Sequence, residues 1–223
     1  MSAARPRRSP ADLARAARRA GVRDQRLLDV MARLPRAPFV PPAAAGQAHL
    51  DQPVPISHRQ VTTQPSLVAT MVESLALAGS EKVLEVGTGY GYQTALLANL
   101  AREIWSIELW PDMTDVARRA LAAQGIDNVH LVVGDGTLAL PAQAPFDAII
   151  VAAAFPEVAT PLADQLVRGG RLVQPIGPGG REQVVLFEKG GTGLARTRTL
   201  TGACFVPLYG EHGYALEEAP SEP

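Results

Sequence analysis

The chain has 223 residues, 47% of them hydrophobic, which suits one domain with a modest extension. Its formal net charge of −1 gives no electrostatic argument for a nucleic-acid partner. No apolar run reaches the length of a membrane span, and the basic N-terminus is not followed by the apolar core of a signal peptide. The single cysteine, Cys204, excludes an intramolecular disulfide and lies in an apolar run, which predicts a buried thiol. We therefore expect a monomeric cytoplasmic protein without nucleic-acid or membrane partners.

The N-terminal part of the chain is predicted to be helical. A Ser-Pro start and a terminal glycine predict a capped helix over 10–20, and a second helix over 24–34 is stopped by Pro35. Residues 35–64 are rich in proline and polar side chains, which predicts an irregular connector. An apolar stripe at helical spacing then predicts a third helix over 65–77.

Beyond the third helix, short apolar runs alternate with amphipathic segments. This alternation predicts a doubly wound, mostly parallel α/β sheet with helices on both faces. Two further strands at 183–188 and 197–208 are expected to join the edge of the sheet in antiparallel fashion. The predicted organisation is a helical extension and loop over 1–64, an α/β domain over 65–214 and a disordered tail over 215–223. The other predicted strands lie at 82–86, 103–108, 129–133, 147–151 and 171–176, and the helices between them at about 92–101, 112–123 and 159–168.

One glycine-rich loop carries the strongest functional signal. The run VLEVGTGYGY at 83–92 takes a buried strand into a G-x-G-x-G loop before a helix, so that the backbone can approach a nucleotide-like ligand closely. The spacing differs from the G-x-G-x-x-G fingerprint of dinucleotide binding. Glu108 ends the next strand, where it can accept hydrogen bonds from ribose hydroxyls. The pattern resembles S-adenosylmethionine (SAM) methyltransferases, so the expected cofactor is SAM, and the predicted contacts in this half are Glu85, Gly87, Thr88, Gly89, Gly91, Tyr92, Glu108 and Leu109.

A third acid follows the next predicted strand. Asp135 lies between Gly134 and Gly136, at the carboxyl end of a strand, where ligands bind in open α/β sheets. We expect these three residues to contact the cofactor, with the Asp135 carboxylate accepting a hydrogen bond from the adenine amino group. The structural alternatives are a turn or helix cap for Asp135 and a solvated acid for Glu108.

Four segments together resemble one methyltransferase family. The run GDGTLALPAQAPFDAI at 134–149 resembles the signature of the protein-L-isoaspartate (D-aspartate) O-methyltransferases. Segments 34–41 (LPRAPFVP), 147–156 (DAIIVAAAFP) and 205–213 (FVPLYGEHG) are similar to other parts of that family, in the same order. The resemblance implies SAM-dependent methyl esterification of L-isoaspartyl carboxylates, with D-aspartyl ones as a further class, in damaged proteins or peptides. The ester then closes to a succinimide without the enzyme, and hydrolysis can restore a normal aspartyl link.

The resemblance also implies a substrate loop at 57–65, where this sequence departs from the family. Thr63 stands at the position of the family's active-site serine, keeps the hydroxyl, and is predicted to hydrogen-bond the substrate carboxylate. Val61 replaces a threonine, Thr62 an apolar residue, and Ala139 a glycine. Two alternatives stay open: the same chemistry on a dedicated peptide or small-molecule carboxylate, and a non-catalytic SAM-binding module. The predicted substrate-binding residues are Ser57, His58, Val61, Thr62, Thr63, Val206 and His212.

Other reaction types find less support in the sequence. His58 and His212 are candidate bases, but a carboxylate with a pKa of about 4 is already ionised at pH 7 and needs none. No group of Cys, His and acidic residues has the spacing of a metal site, so no metal is expected. The Asn/Asp-Pro-Pro-aromatic motif of amine methylation is absent from the sequence, which disfavours an RNA or DNA methyltransferase.

Overall fold

The computed structural model describes residues 8–178 and 180–216, so most of the tail predicted over 215–223 lies outside the described residues. Three N-terminal helices form as predicted: α1 (Pro10–Arg19), α2 (Gln25–Arg33) and α3 (Pro65–Ser74). Asp24 caps α2, since its side chain accepts hydrogen bonds from two backbone amides of the first turn. The connector is less irregular than expected. It contains 3₁₀ turns over Ala37–Phe39 and Pro42–Gln47 and an antiparallel hairpin of β1 (Val54–Pro55) and β2 (Val61–Thr62).

The rest of the chain folds into one seven-stranded sheet with the order β5-β4-β3-β6-β7-β8-β9. Neighbouring strands run parallel from β5 to β7, and β8 and β9 are antiparallel additions. The predicted doubly wound fold with antiparallel edge strands is confirmed. The strands are β3 (Lys82–Val86), β4 (Glu103–Glu108), β5 (Val129–Val133), β6 (Phe146–Val151), β7 (Leu166–Ile176), β8 (Glu182–Gly190) and β9 (Gly193–Ala203), and the helices are α4 (Tyr92–Ala98), α5 (Pro111–Ala123) and α6 (Thr160–Asp164).

Strand β3 lies at the centre of the sheet and is buried on both faces. Val83 belongs to the core that α1 to α4 form on one face, whereas Leu84 and Val86 belong to the core on the other face. The chain leaves β3 toward β4 and β5 and later returns to β6 on the opposite side of β3. The connections therefore diverge between β3 and β6, and this divergence opens a crevice at the carboxyl ends of these strands.

Two boundaries differ from the sequence prediction because of tertiary contacts. The helix expected over 159–168 ends at Asp164, and strand β7 begins at Leu166 rather than at residue 171. Gly170 packs so closely on β6 that a β-carbon there would lie 2.8 Å from the Asp147 carbonyl oxygen. Gly170 therefore allows the chain to join the sheet early, in a region where the sequence pattern predicted a helix.

The last predicted strand, 197–208, begins and ends earlier in the structure, at Gly193 and Ala203. Strand β9 stops at Ala203, and the chain then crosses to the loop after β6, where Ala154 donates to the Val206 carbonyl and Leu208 donates to the Ala154 carbonyl, both at 2.8 Å. Cys204 lies at this crossing and is exposed, so the prediction of a buried thiol was wrong. The apolar run is divided between the sheet and the new contact.

A buried carboxylate joins β3 to its neighbours. Glu85 is fully buried, and its carboxylate accepts hydrogen bonds from Thr94 Oγ1 at 2.5 Å, Ser106 Oγ at 2.6 Å and Gln93 Nε2 at 2.9 Å. The donors belong to α4 and β4, so one side chain links three elements. Burial raises the pKa of Glu85 to about 7, although the three donors act in the opposite direction.

We predict that Glu85→Gln changes how stability depends on pH. The pKa of this glutamate is raised from 4.5 to about 7 on folding, so the folded state holds an extra proton between these values. The contribution of Glu85 to stability is fully present below the lower value and is lost as the pH rises through the upper one. Relative to the wild type, the glutamine variant should therefore gain up to about 3 kcal/mol from about pH 4 to about pH 8.

Urea unfolding at a series of pH values measures this difference. The matched control is Glu188→Gln, which removes an exposed carboxylate from β8. If the two variants differ from the wild type by the same amount at every pH, the buried titration assigned to Glu85 is contradicted.

Candidate active site

A deep cleft opens at the carboxyl ends of β3, β4 and β6, at the crevice that the strand order creates. Its floor is the loop after β3, and the hairpin β1–β2 and the segment 206–209 form its walls. Most of the predicted cofactor residues therefore come together in one place. The predicted residues that line the cleft are Gly87, Thr88, Gly89, Gly91, Tyr92, Glu108, Leu109, Gly134 and Gly136.

The glycine loop has a backbone shape that favours its glycines at two positions in particular. Gly89 has a φ of +55°, and Gly91 has a φ of +96° just before α4 begins. A β-carbon at Gly91 would also lie 3.2 Å from the Ala117 β-carbon of α5. The loop can therefore turn sharply under the cleft and leave its backbone exposed to a ligand.

Glu108 holds this loop from the neighbouring strand. Its Oε2 accepts a hydrogen bond from the Gly89 amide at 2.8 Å, and its Oε1 accepts one from the Trp110 amide at 3.1 Å. Burial raises the pKa of Glu108, and these backbone donors oppose that shift. A carboxylate has about four acceptor positions. Two of them are used here, so Glu108 can still accept hydrogen bonds from a ligand in the cleft.

Two predicted cofactor residues lie elsewhere. Glu85 is fully buried beneath the loop and does not line the cleft, so this structure does not place it in contact with a ligand there, and its contact with the cofactor stays a prediction. It supports the loop through Ser106, whose hydroxyl donates to Glu85 and accepts from Thr88 Oγ1 at 2.5 Å. Asp135 does not line the cleft in this structure either.

Asp135 fastens the C-terminal segment to the loop after β5. Its Oδ1 accepts from the Thr137 amide at 2.8 Å and from the Thr137 hydroxyl at 2.6 Å, and its Oδ2 accepts from the Glu211 amide at 2.7 Å. Burial alone would raise the pKa of Asp135, but these hydrogen bonds outweigh it and the pKa is lowered. The predicted contact with adenine stays a prediction, and the turn interpretation accounts for the contacts that Asp135 makes here.

The predicted substrate loop divides into two parts. Val61, Thr62 and Thr63 line the cleft, and Thr62 Oγ1 is already an acceptor for the Val54 amide at 3.0 Å. Ser57 and His58 lie at the tip of the hairpin and do not line it. Ser57 Oγ lies 3.0 Å from the Tyr90 hydroxyl, which joins the tip to the glycine loop.

The two candidate histidines are engaged outside the cleft. His58 stacks on Trp110 with ring centroids 4.0 Å apart, and its Nε2 lies 2.8 Å from Asp112 Oδ1. The backbone amide of His212 donates to Thr137 Oγ1 at 3.1 Å, and the residue is exposed. Neither side chain is placed to act as a base in the cleft.

A second groove adjoins the cleft and shares part of its wall. It runs between the start of α3 and residues 200–206 at the end of β9 and beyond. The residues common to both cavities are Val61, Thr63, Ala152 and Val206. Val61, Thr63 and Val206 are predicted substrate residues, and they lie where the cleft meets the groove.

Sequence reasoning missed several polar residues of the cleft, and Gln93 is the most buried glutamine among them. Gln93 is 7% exposed and lines the cleft. Its Nε2 donates a hydrogen bond to Glu85, and its Oε1 has no partner among the described residues. A glutamine in the first turn after the glycine loop was the sequence signal that could have identified this residue.

No group of three or more His, Cys, Asp or Glu residues suited to a metal occurs within 8–178 and 180–216. In the same ranges, no helix combines the length and apolar character needed to span a bilayer.

Comparisons with known proteins agree with this site. The family model described as protein-L-isoaspartate(D-aspartate) O-methyltransferase matches residues 8–213. The protein-L-isoaspartate O-methyltransferase of Methanoculleus marisnigri is 46% identical over 200 residues, which cover 90% of this chain and 90% of that protein. The enzyme of the same name from Anaeromyxobacter dehalogenans is 50% identical over 190 residues, which cover 84% of this chain and 91% of that protein.

Solved structures agree as well. A protein-L-isoaspartate O-methyltransferase superposes with a TM-score of 0.80 at 27% identity, covering 92% of this chain and 67% of that one. A Plasmodium falciparum protein described as a putative enzyme of this kind, in complex with S-adenosyl-L-homocysteine, shares the fold with a TM-score of 0.74 at 22% identity, covering 90% of this chain and 98% of that one. The family model and these relatives match nearly the whole chain, which confirms the resemblance seen in the sequence. The chain therefore belongs to the protein-L-isoaspartate (D-aspartate) O-methyltransferase family.

Proposed function

We propose that this protein transfers the methyl group of SAM to the side-chain carboxylate of L-isoaspartyl residues in damaged proteins or peptides. D-aspartyl residues are the second substrate class, named in the family description. One observation carries the proposal: Thr63, at the position of the family's active-site serine, lines both the cofactor cleft and the adjoining groove. A monomeric state and a cytoplasmic location stay predictions.

The residues of the cleft fit the adenosyl cofactor. Glu108 lies at the end of the second parallel strand with acceptor capacity to spare, which suits ribose hydroxyls. The backbone of the glycine loop offers polar contacts to the amino-acid part of the cofactor, and so does Gln93 Oε1, which has no partner within 8–178 and 180–216. When bound, SAM supplies a methyl group on a sulfonium, which passes to the substrate oxygen as the S–CH₃ electron pair returns to sulfur.

The protein's own contribution is positioning and the exclusion of water. Thr63 would donate a hydrogen bond to one oxygen of the substrate carboxylate and leave the other free to attack in line. The hairpin and the segment 206–209 form walls of the cleft and would limit the access of water to bound substrate. No base is required, because the carboxylate is already ionised at neutral pH. Alignment of this kind can contribute several kcal/mol, out of a possible ~7–11, to lowering the barrier.

The proposed function is tested by a matched pair of peptides. With labelled SAM, the protein should transfer methyl groups to a peptide that contains one L-isoaspartyl residue and not to its normal aspartyl twin. Transfer to both peptides would show that the groove does not distinguish the two links. Transfer to neither would contradict the proposal and favour a dedicated carboxylate substrate or a non-catalytic module, both of which the altered loop at 57–63 leaves open.

Thr63→Val should slow turnover without affecting the cofactor. The change keeps the shape and removes one hydrogen bond to a charged group, worth ~1.5–3 kcal/mol, so turnover on the isoaspartyl peptide should fall about tenfold or more. Affinity for SAM should stay nearly the same, because the polar contacts proposed for the cofactor lie in other segments. Thr63→Ser is the matched control and should retain most activity. Unchanged turnover per folded molecule in Thr63→Val would remove Thr63 from the catalytic site.

Glu108→Gln should weaken SAM binding. The variant keeps the size of the side chain but loses the negative charge that strengthens hydrogen bonds from ribose hydroxyls. Only one oxygen remains to accept from the Gly89 and Trp110 amides, so the loop is also held less well. We expect a loss of roughly 1.5–3 kcal/mol in calorimetric titrations with SAM. Glu103→Gln, at the opposite end of the same strand, is the control and should bind SAM normally. Equal affinity in both variants would refute the assignment of Glu108 to the cofactor site.

A further inference from the structure

A guanidinium group lies buried behind the wall of the cleft, with the Asp51 carboxylate near it but outside salt-bridge distance. Arg36 is 0% exposed and forms no ion pair with any described residue. Its Nε has no hydrogen-bond partner within 8–178 and 180–216. Burial lowers the pKa of Arg36, although a guanidinium keeps its charge in proteins. A buried charge is costly, so its contacts deserve a specific explanation.

The two terminal nitrogens of Arg36 hold two separate stretches of backbone together. Nη1 donates to three carbonyl oxygens of the loop that precedes β1: those of Ala48 at 3.3 Å, Leu50 at 3.2 Å and Gln52 at 3.1 Å. Nη2 donates to Thr62 Oγ1 at 2.7 Å and to the Thr63 carbonyl at 3.4 Å. The loop over 48–52 and the end of β2 are therefore fixed relative to one another by one planar group.

The same group also reaches the wall of the cofactor cleft. The guanidinium carbon lies 5.7 Å from the centroid of the Tyr92 ring, within the range of a cation–π contact. Tyr92 begins α4 and lines the cleft. Arg36 thus contacts both the segment that carries Thr63 and the helix that follows the glycine loop.

We propose that Arg36 is a positioning residue for methyl transfer, which acts through Thr62 and the Thr63 backbone to hold the Thr63 hydroxyl where the cleft meets the groove. The inference rests on the function proposed above for Thr63. The shortest link is the hydrogen bond to Thr62 Oγ1, whose hydroxyl also accepts from the Val54 amide across the hairpin. The hydroxyl of Thr62, predicted to contact the substrate, is committed to this link in the structure. A misplacement of the reacting groups by about 1 Å can reduce the rate on the order of a hundredfold, so such a link affects turnover.

The test compares Arg36→Lys, Thr62→Val and the double variant with the wild type. Thr62→Val removes the hydroxyl without touching the buried charge, and it keeps the inference testable should Arg36→Lys fail to fold. Turnover at saturating isoaspartyl peptide should fall about tenfold in each single variant, with SAM affinity nearly unchanged. The double variant should be no slower than the slower single variant, because both changes break one link. Thr62→Ser should restore turnover.

Two controls separate this inference from a general loss of stability and from the proposed function. Leu28→Ala, in the buried face of α2, lowers stability away from the cleft and should leave turnover per folded molecule unchanged. If Arg36→Lys and Thr62→Val both turn over like the wild type while Thr63→Val is slow, the role of Arg36 is overturned and the proposed function stands. Multiplied losses in the double variant would overturn the role of Arg36 too, because Thr62 would then act independently of Arg36. An inactive wild type, or an unimpaired Thr63→Val, would overturn the proposed function or the role of Thr63, and this inference with it.

Discussion

The site depends on how the glycine loop after β3 is held at the carboxyl end of the sheet. Two acidic side chains do this from different depths: Glu85 from beneath, through Ser106 and Thr88, and Glu108 from the side, through the Gly89 amide. Both carboxylates are buried, and burial raises both pKa values. The loop is therefore fixed by hydrogen bonds to carboxylates that are removed from water. Burying a carboxylate costs free energy, and proteins mostly accept such costs at functional sites.

Segments from both ends of the chain complete the cleft that this loop begins. The hairpin β1–β2 comes from the N-terminal extension, and residues 205–209 come from beyond β9. Each is held by polar contacts as well as by apolar packing. Arg36 fastens the hairpin, and Asp135 fastens the C-terminal segment through the Glu211 amide. A cofactor cleft and a substrate groove with a shared wall are the result.

Much of this architecture could be predicted from the sequence, because strand and helix periodicity determined the central elements. The strands over 82–86, 103–108 and 129–133 have the predicted bounds, and the glycine loop stands at the predicted place. The departure at Ala139 also has a physical meaning, since this residue has a φ of +53°, where the family's usual glycine has no steric penalty. Sequence periodicity was sufficient to locate these elements because neighbouring residues determine their structure.

The errors arose where a distant contact decided the outcome. Residues 166–170 join β6 because Gly170 fits closely against it, and residues 205–208 leave the sheet to pair with Ala154. The cofactor contact of Glu85 stays a prediction, and its side chain joins a buried network with Thr94 and Ser106 that the sequence did not indicate. The burial of Arg36 had no signal in the sequence, since arginines are usually exposed.

A crystal structure of the protein with S-adenosylhomocysteine and an isoaspartyl peptide would test the central claim most directly. The account predicts that the peptide occupies the groove beside residues 200–206, with its isoaspartyl carboxylate within hydrogen-bonding distance of the Thr63 hydroxyl and facing the cofactor sulfur. It also predicts that Glu108 accepts hydrogen bonds from the ribose. A peptide bound away from Thr63, or a ribose without contact to Glu108, would contradict it.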